Sequence, residues 1–276
     1  LVIWSPDDLF SAGANLESLM PVFMKSGAKG IAPEEKKLQD AMLRIRYAAV
    51  PVVAAIRGLA LGGGCELAVH SAKRVAAMES YIGLVEVGVG LIPGGGGLAY
   101  VARRAAEMAS FSGSAGNANA DIFKFVTDGF TSAAMAKVGT SAIESRKLGY
   151  LLWSDVIVAH KDELLFVATQ QAKAMFDSGY RPPARALIPV AGRSGIATIK
   201  VQLANMRDGG FISAHDFHIS SLIADVVCGG EVDAGSLVTE EYLMALERKH
   251  FCGLLEHPKT QERIMGMLQT GKPVRN

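Results

Sequence analysis

The chain opens on an uninterrupted apolar run, Leu1-Val2-Ile3-Trp4, closed by the turn-forming Ser5-Pro6-Asp7-Asp8. Such a run reads as a buried strand, which needs neighbours on both sides. Residues 11–15 follow as a loop, and residues 16–24 begin a helix. Residues 33–47 form a clearer helix, with Pro33 in the first turn, where its missing N–H is tolerated. Leu38, Met42, Ile45 and Ala49 recur there at helical spacing. Residues 50–56 are a short β-branched run, hence a second buried strand. Residues 57–61 form the crossing to Gly62-Gly63-Gly64, and a helix starting near Cys65 carries Glu66, Leu67, Val69 and His70. Residues 73–77 read as a further strand and residues 81–83 as a short extended piece. Strand, turn, helix and strand in this order predict an α/β fold built of parallel units.

Beyond Gly97 the periodicity turns helical. Residues 110–119 are small and polar and predict a loop. Residues 141–149 predict an amphipathic helix, 155–158 an edge strand and 164–178 another helix. Tyr180-Arg181-Pro182-Pro183 marks a hinge, which divides the chain into a core at 1–180 and a helical region at 181–276. Helices are expected there at 196–207, 215–227, 239–251 and 259–268. No internal repeat is visible.

Composition narrows the classes. Half of the 276 residues are hydrophobic and a fifth are charged, the balance of a globular protein with a sizeable core. Twenty-eight basic against 27 acidic residues give a formal charge of +1, which supports neither a nucleic-acid nor a membrane-surface partner. Cys65, Cys228 and Cys252 are widely spaced without metal-like pairing and read as reduced thiols, so a cytoplasmic location is expected. No apolar run is long enough for a membrane span, and no signal peptide is visible. The chain starts without Met and inside an apolar run, so a fragment with sequence missing before Leu1 is expected.

The chemistry concentrates in three segments. A glycine turn between a strand and a helix lets a ligand approach backbone N–H groups that have no partner inside the helix, and the helix dipole adds partial positive charge. Residues 62–66 fit that description and form half of an oxyanion site. The loop at 11–15 supplies the other donor, from Ala14, if the strand at 1–4 lies beside the strand at 50–56. Glu66 and Glu86 stand 20 residues apart. If both face one pocket, their charges repel, so one holds a proton while the other is ionised. Such a pair can accept a proton from water and donate another.

The segments 10–16, 51–68 and 81–97, in this order and spacing, resemble the signature of the crotonase (enoyl-CoA hydratase/isomerase) superfamily. The resemblance implies a crotonase-like ββα spiral (the ClpP/crotonase fold), followed by a mostly helical C-terminal region. It implies Ala14 and Gly63 as oxyanion-hole donors and Glu66 and Glu86 as the catalytic glutamates. Ala12, Gly13, Leu16, Gly62, Pro93 and Gly94 then line the substrate site. The implied reaction is syn addition of water to a trans-2-enoyl-CoA, giving a 3-hydroxyacyl-CoA. Glu66 activates the water and Glu86 protonates the α-carbon, with no metal or redox cofactor required. An isomerase or acyl-CoA hydrolase on the same fold, and a catalytically silent interaction module, are the alternatives.

The family commonly has Asp where Asn15 stands, and residues 110–137 are longer than the usual linker, fitting a lid or an altered oligomer contact. The segments 195–207, 209–230 and 259–273 resemble the tail of bacterial fused 3-hydroxyacyl-CoA dehydrogenase/enoyl-CoA hydratase proteins. That resemblance implies a multifunctional β-oxidation enzyme in which NAD serves only a preceding dehydrogenase part. Its partners are then that part and the acyl-CoA substrate, with a homo-oligomer expected.

Plainer readings compete with these. The glycines of residues 62–64 could serve close packing alone. Their spacing from Gly58 does not match a dinucleotide loop. Glu66 and Glu86 could each be a structurally paired core carboxylate. His215 and His218, three apart on a helix, read as surface or capping residues without a third metal ligand. His250 and His257 read the same way, Cys65 as packing, and the run Glu247-Arg248-Lys249 as a solvated face.

Overall fold

The computed structural model describes residues 1–111 and 118–276. In chain order the elements are β1 (Val2–Ile3), α1 (Leu16–Arg46), β2 (Val53–Ile56), β3 (Leu59–Leu61), α2 (Gly63–His70), β4 (Lys73–Ala77) and β5 (Tyr81–Gly83). A single 3₁₀ turn, Glu86–Val89, leads to α3 (Gly97–Phe111) and α4 (Ala118–Ala134). Next come β6 (Val138–Gly139), α5 (Ala142–Lys147), β7 (Val156–Val158) and α6 (Leu164–Asp177). The rest comprises β8 (Ile188–Pro189), α7 (Gly192–Asp208), α8 (Ala214–Val227), β9 (Leu237–Val238), α9 (Glu240–Leu255) and α10 (Pro258–Thr270).

Two compact units share the chain, and each is discontinuous in sequence. The first takes Leu1–Ala14, Lys37–Val85 and Lys137–Arg185; the second takes Asn15–Lys36, Glu86–Ala136 and Ala186–Asn276.

The first unit is built on a parallel sheet in the order β1-β2-β4-β7. Val2 pairs with Val53 and Ile3 with Ala54, so the opening apolar run does lie beside the second strand. The inner strand β2 is buried on both faces, as an inner parallel strand must be, and β4 is nearly so. β1 is only half-buried and pairs with β2 alone among the described residues, so the expected buried strand with neighbours on both sides is instead an edge strand. Val53, Ala55, Val75 and Ala77 alternate onto one face and meet Leu164, Ala168 and Ala172 of α6. Here a strand period of two faces a helix period of four. β7 is an edge strand, as its sequence predicts. Across the sheet, buried Arg74 of β4 reaches Asp155, which precedes β7, at 2.6 Å. A second sheet runs β3-β5-β6. Residues 57–61 are therefore more than a crossing, because Leu59–Leu61 is a strand pairing in parallel with Tyr81–Gly83. The run is only three residues long, too short for an alternating pattern to show.

In the second unit α3 packs on α4, α8 and α9, and α7 packs on α8. The expected helices between 196 and 268 are all present, with α7 starting earlier, at Gly192. Residues 16–24 and 33–47 are parts of one helical stretch, α1, broken at Gly27, whose φ of 60° and ψ of −162° are not helical. A glycine adopts that conformation without a Cβ clash. The loop expected at 110–119 falls partly on residues 112–117, outside the described residues; Phe111 still closes α3 and Ala118 already opens α4. Among the described residues no helix is long and apolar enough to cross a membrane.

Candidate functional site: a glycine turn and two glutamates

In the first unit, β3 ends at Leu61 and the chain turns through Gly62, whose φ of 53° and ψ of −124° suit only glycine. The Gly62 amide donates to the Gly83 carbonyl of β5 at 2.9 Å, fixing the turn to the second sheet. α2 starts at Gly63, and its first backbone bond runs from the Glu66 amide to the Gly62 carbonyl at 3.0 Å. The N-cap residue, Gly62, has no side chain with which to cap this end. The N–H groups of the first turn therefore point out of the helix, with the dipole behind them.

The loop after β1 is laid against the same place. The Phe10 and Ser11 amides donate to the Leu59 carbonyl, and the Leu61 amide donates to the Ser11 carbonyl at 3.0 Å. Gly13, at φ 99°, lies so close that a Cβ there would stand 3.1 Å from the Leu61 oxygen and 3.8 Å from the Gly63 nitrogen. A Cβ on Gly64 would stand 2.6 Å from the Ser11 side chain. These glycines thus permit close packing too, as the plainer reading holds. At Gly63 the surroundings differ. Among the described residues the nearest atom a Cβ would meet is the Glu66 carboxylate, at 4.0 Å. Glu66 is itself almost fully buried, on the first turn of α2. An open space bordered by a helix N-terminus and a carboxylate is suited to hold a polar substrate atom and take a proton from it.

In the second unit Glu86 opens the 3₁₀ turn and is half-buried. The Leu91 amide donates to its carbonyl at 3.0 Å, and the Gly90 amide to the Val87 carbonyl at 3.0 Å. Residues 91–100, including Pro93 and Gly94, are all buried. Gly94 is packed so tightly that a Cβ would overlap the carboxylate of Glu35 and come within 2.9 Å of Phe251. Asn15 starts α1, accepting from the Glu17 amide through its side chain at 2.9 Å, a helix-cap role open to Asn as to Asp.

The structure thus gathers Ala12, Gly13, Ala14, Gly62, Gly63 and Glu66 in the first unit, while Leu16, Glu86, Pro93 and Gly94 belong to the second.

Three residues escape the sequence reading. Glu247 is fully buried rather than solvated, accepting from the Leu98 and Ala99 amides at 2.6 and 2.8 Å. It caps α3 directly after the glycine run, and only the distant helix α9 could supply it. Glu35 stands against Gly94 from α1; its place on an apolar helical face was the only available signal. His215 is buried rather than on the surface, with its ring 4.4 Å from that of His257. His257 does cap α10, accepting from the Lys259 amide. Burial pushes the Cys228 thiol up to about 12 and the Cys252 thiol up to about 11, away from the reactive thiolate.

Residues 1–121 match the enoyl-CoA hydratase/isomerase family. That match covers a little under half of the chain, and by it this N-terminal part is similar to the crotonase superfamily. A probable 3-hydroxyacyl-CoA dehydrogenase of Bacillus subtilis (strain 168) is 39% identical over 281 residues, which is 100% of this chain and 34% of that protein. A putative fatty acid oxidation complex trifunctional enzyme of Rickettsia felis is 42% identical over 98 residues, 36% of this chain and 14% of that protein. The chain therefore spans about a third or less of these relatives. Among solved structures, an enoyl-CoA hydratase from Rhodobacter sphaeroides 2.4.1 aligns with a TM-score of 0.65 at 14% identity, covering 100% of this chain and 78% of that one. That likeness is one of fold: the crotonase-like spiral with a helical C-terminal region. The similarity to the Bacillus protein runs past the family match and through the C-terminal helices.

Proposed function

We propose that this chain is an enoyl-CoA hydratase acting on trans-2-enoyl-CoA in fatty-acid β-oxidation. The carrying observation is the open space before Gly63, set at a helix N-terminus and bordered by the Glu66 carboxylate. The Ala14 and Gly63 N–H groups receive the thioester oxygen as enolate charge develops. Each such donor contributes about 3 kcal/mol to the transition state. Glu66 takes a proton from water, whose oxygen bonds to the β-carbon, and Glu86 delivers a proton to the α-carbon. One O–H bond of water is broken, and a C–O and a C–H bond replace the C=C π bond, so the atoms balance. Ala12, Gly13, Leu16, Gly62, Pro93 and Gly94 line the acyl-CoA path. The chemistry asks for no metal or redox group in this chain. In a longer polypeptide like the Bacillus relative, NAD would serve a dehydrogenase part, with residues 1–180 and 181–276 as core and helical domains of the hydratase. A cytoplasmic homo-oligomer completes the proposal.

The test is hydration of crotonyl-CoA, followed by loss of enoyl-thioester absorbance and by product analysis. Wild type is expected to form 3-hydroxybutyryl-CoA. Glu66→Gln and Glu86→Gln are each expected to lower kcat by about 10²- to 10⁴-fold, the usual worth of a general acid or base. Bond migration without hydration, release of free CoA, or binding without turnover would each overturn the hydratase reading.

A further inference from the structure

Glu86 sits on a turn of only four residues, and a turn that short needs outside support to hold a carboxylate still. That support comes from α10, about 170 residues further along the chain. The Thr260 hydroxyl donates to the Gly90 carbonyl at 2.8 Å. Arg263, with no exposed surface, donates to the Val87 carbonyl at 3.1 Å. The contact is close enough that a Cβ on Gly90 would stand 2.9 Å from the Thr260 Cα.

Both side chains are themselves held. Arg263 pairs with Asp216 at 2.9 Å and donates to the Asn276 side chain at 2.9 Å. Asp216 also accepts from the Ser213 amide, inside the capping box of α8. A hydroxyl has one proton, and Thr260 gives it to Gly90. The 3.0 Å contact with His215 Nε2 is therefore an N–H donated to Thr260. This assigns the His215 tautomer: its Nδ1 is then a bare acceptor, without a hydrogen-bond partner among the described residues.

We infer that Thr260 and Arg263 are positioning residues for Glu86, clamping the Val87 carbonyl within its turn and the Gly90 carbonyl just after it so that the carboxylate is presented in one orientation. The inference rests on the reading of Glu86 as proton donor. Misplacing a catalytic group by an ångström costs up to about 100-fold in rate, so a clamp on this turn acts on kcat rather than on substrate affinity.

The experiment compares Thr260→Val, which keeps the shape and loses the proton, with Thr260→Ser, which keeps the proton. The full chain is used, with kcat and KM for crotonyl-CoA measured beside amide hydrogen exchange at Gly90 and Leu91. Thr260→Val is expected to lower kcat about 10- to 100-fold at unchanged KM and to speed exchange at both amides. Thr260→Ser should restore both readouts. Gly90→Ala attacks the same contact from the turn and should change both in the same direction. Faster exchange with kcat unchanged would overturn the inference, as would a lower kcat with exchange unchanged. If Glu86→Gln leaves kcat intact, the hydratase role of Glu86 fails, while the exchange data still report whether the clamp holds the turn.

Discussion

The glycine turn at Gly62–Gly64 and the turn at Glu86–Val89 each carry a glutamate, yet they are held in opposite ways. The first is held by backbone. Its neighbours are β3, β5 and the Phe10–Gly13 loop, and its bonds run between amides and carbonyls of adjacent strands. Side chains enter mainly as what glycine leaves out. The second is held by side chains: Thr260 and Arg263 on its carbonyls, and Glu247 at the helix that follows the glycine run. Backbone support comes with the strand ladder. Side-chain support must be assembled from helices far along the chain and can be lost one residue at a time.

Three perturbations test this contrast. The largest effect is expected at Asp155→Ala. Arg74 and Asp155 are both almost fully buried, and removing one partner of such a pair costs about 3–5 kcal/mol. Because the pair ties β4 to the edge strand and not to the glycine turn, urea unfolding should show the loss while kcat at low temperature stays close to wild type. A collapse of kcat in the still-folded variant would break the contrast.

Gly64→Ala comes next. Its Cβ would lie 2.6 Å from the Ser11 side chain and 3.0 Å from the Ser11 oxygen. Overpacking of this sort costs about 1–3 kcal/mol, and it pushes the loop at Ser11 away from the glycine turn, the two halves of the oxyanion site proposed above. A fall in both stability and kcat is expected; a variant with wild-type kcat would show that the close approach of loop and turn is dispensable.

The smallest effect is a pH dependence confined to the second unit. Burial, together with nearby Arg263, His257, His218 and Lys259, lowers the His215 pKa from 6.5 to about 4. Burial, His257 and His250 lower that of His218 as well. The unfolded chain therefore binds a proton at His215 near pH 6.5 while the folded chain waits until about pH 4. Stability should fall as pH drops through that window and level off below it. His215→Asn should flatten the slope in denaturant titrations run across pH 4–7. An unchanged slope would assign the acid sensitivity to other groups.

What the sequence determined by itself is the part built from contacts within one or two elements. The apolar run at 50–56 specifies a parallel buried strand because both faces of such a strand are covered, while the run at 1–4 specifies a strand but not its place at the sheet edge. Glycines at 62–64 before Glu66 specify an open helix N-terminus because only glycine takes the turn at Gly62 and the approach of Ser11 to Gly64. The helices from 192 to 270 follow from their own periodicity. What only the tertiary structure decided are the fates of polar residues whose partners are distant. Glu247, in a run of charges, looks solvated until α3 presents its unpaired amides. His215 looks exposed until Thr260 and His257 cover it. Three-residue β3 becomes a strand only beside β5. A buried polar group is stable only when a partner satisfies it, and which residue arrives as that partner is settled by how helices more than a hundred residues apart come to pack.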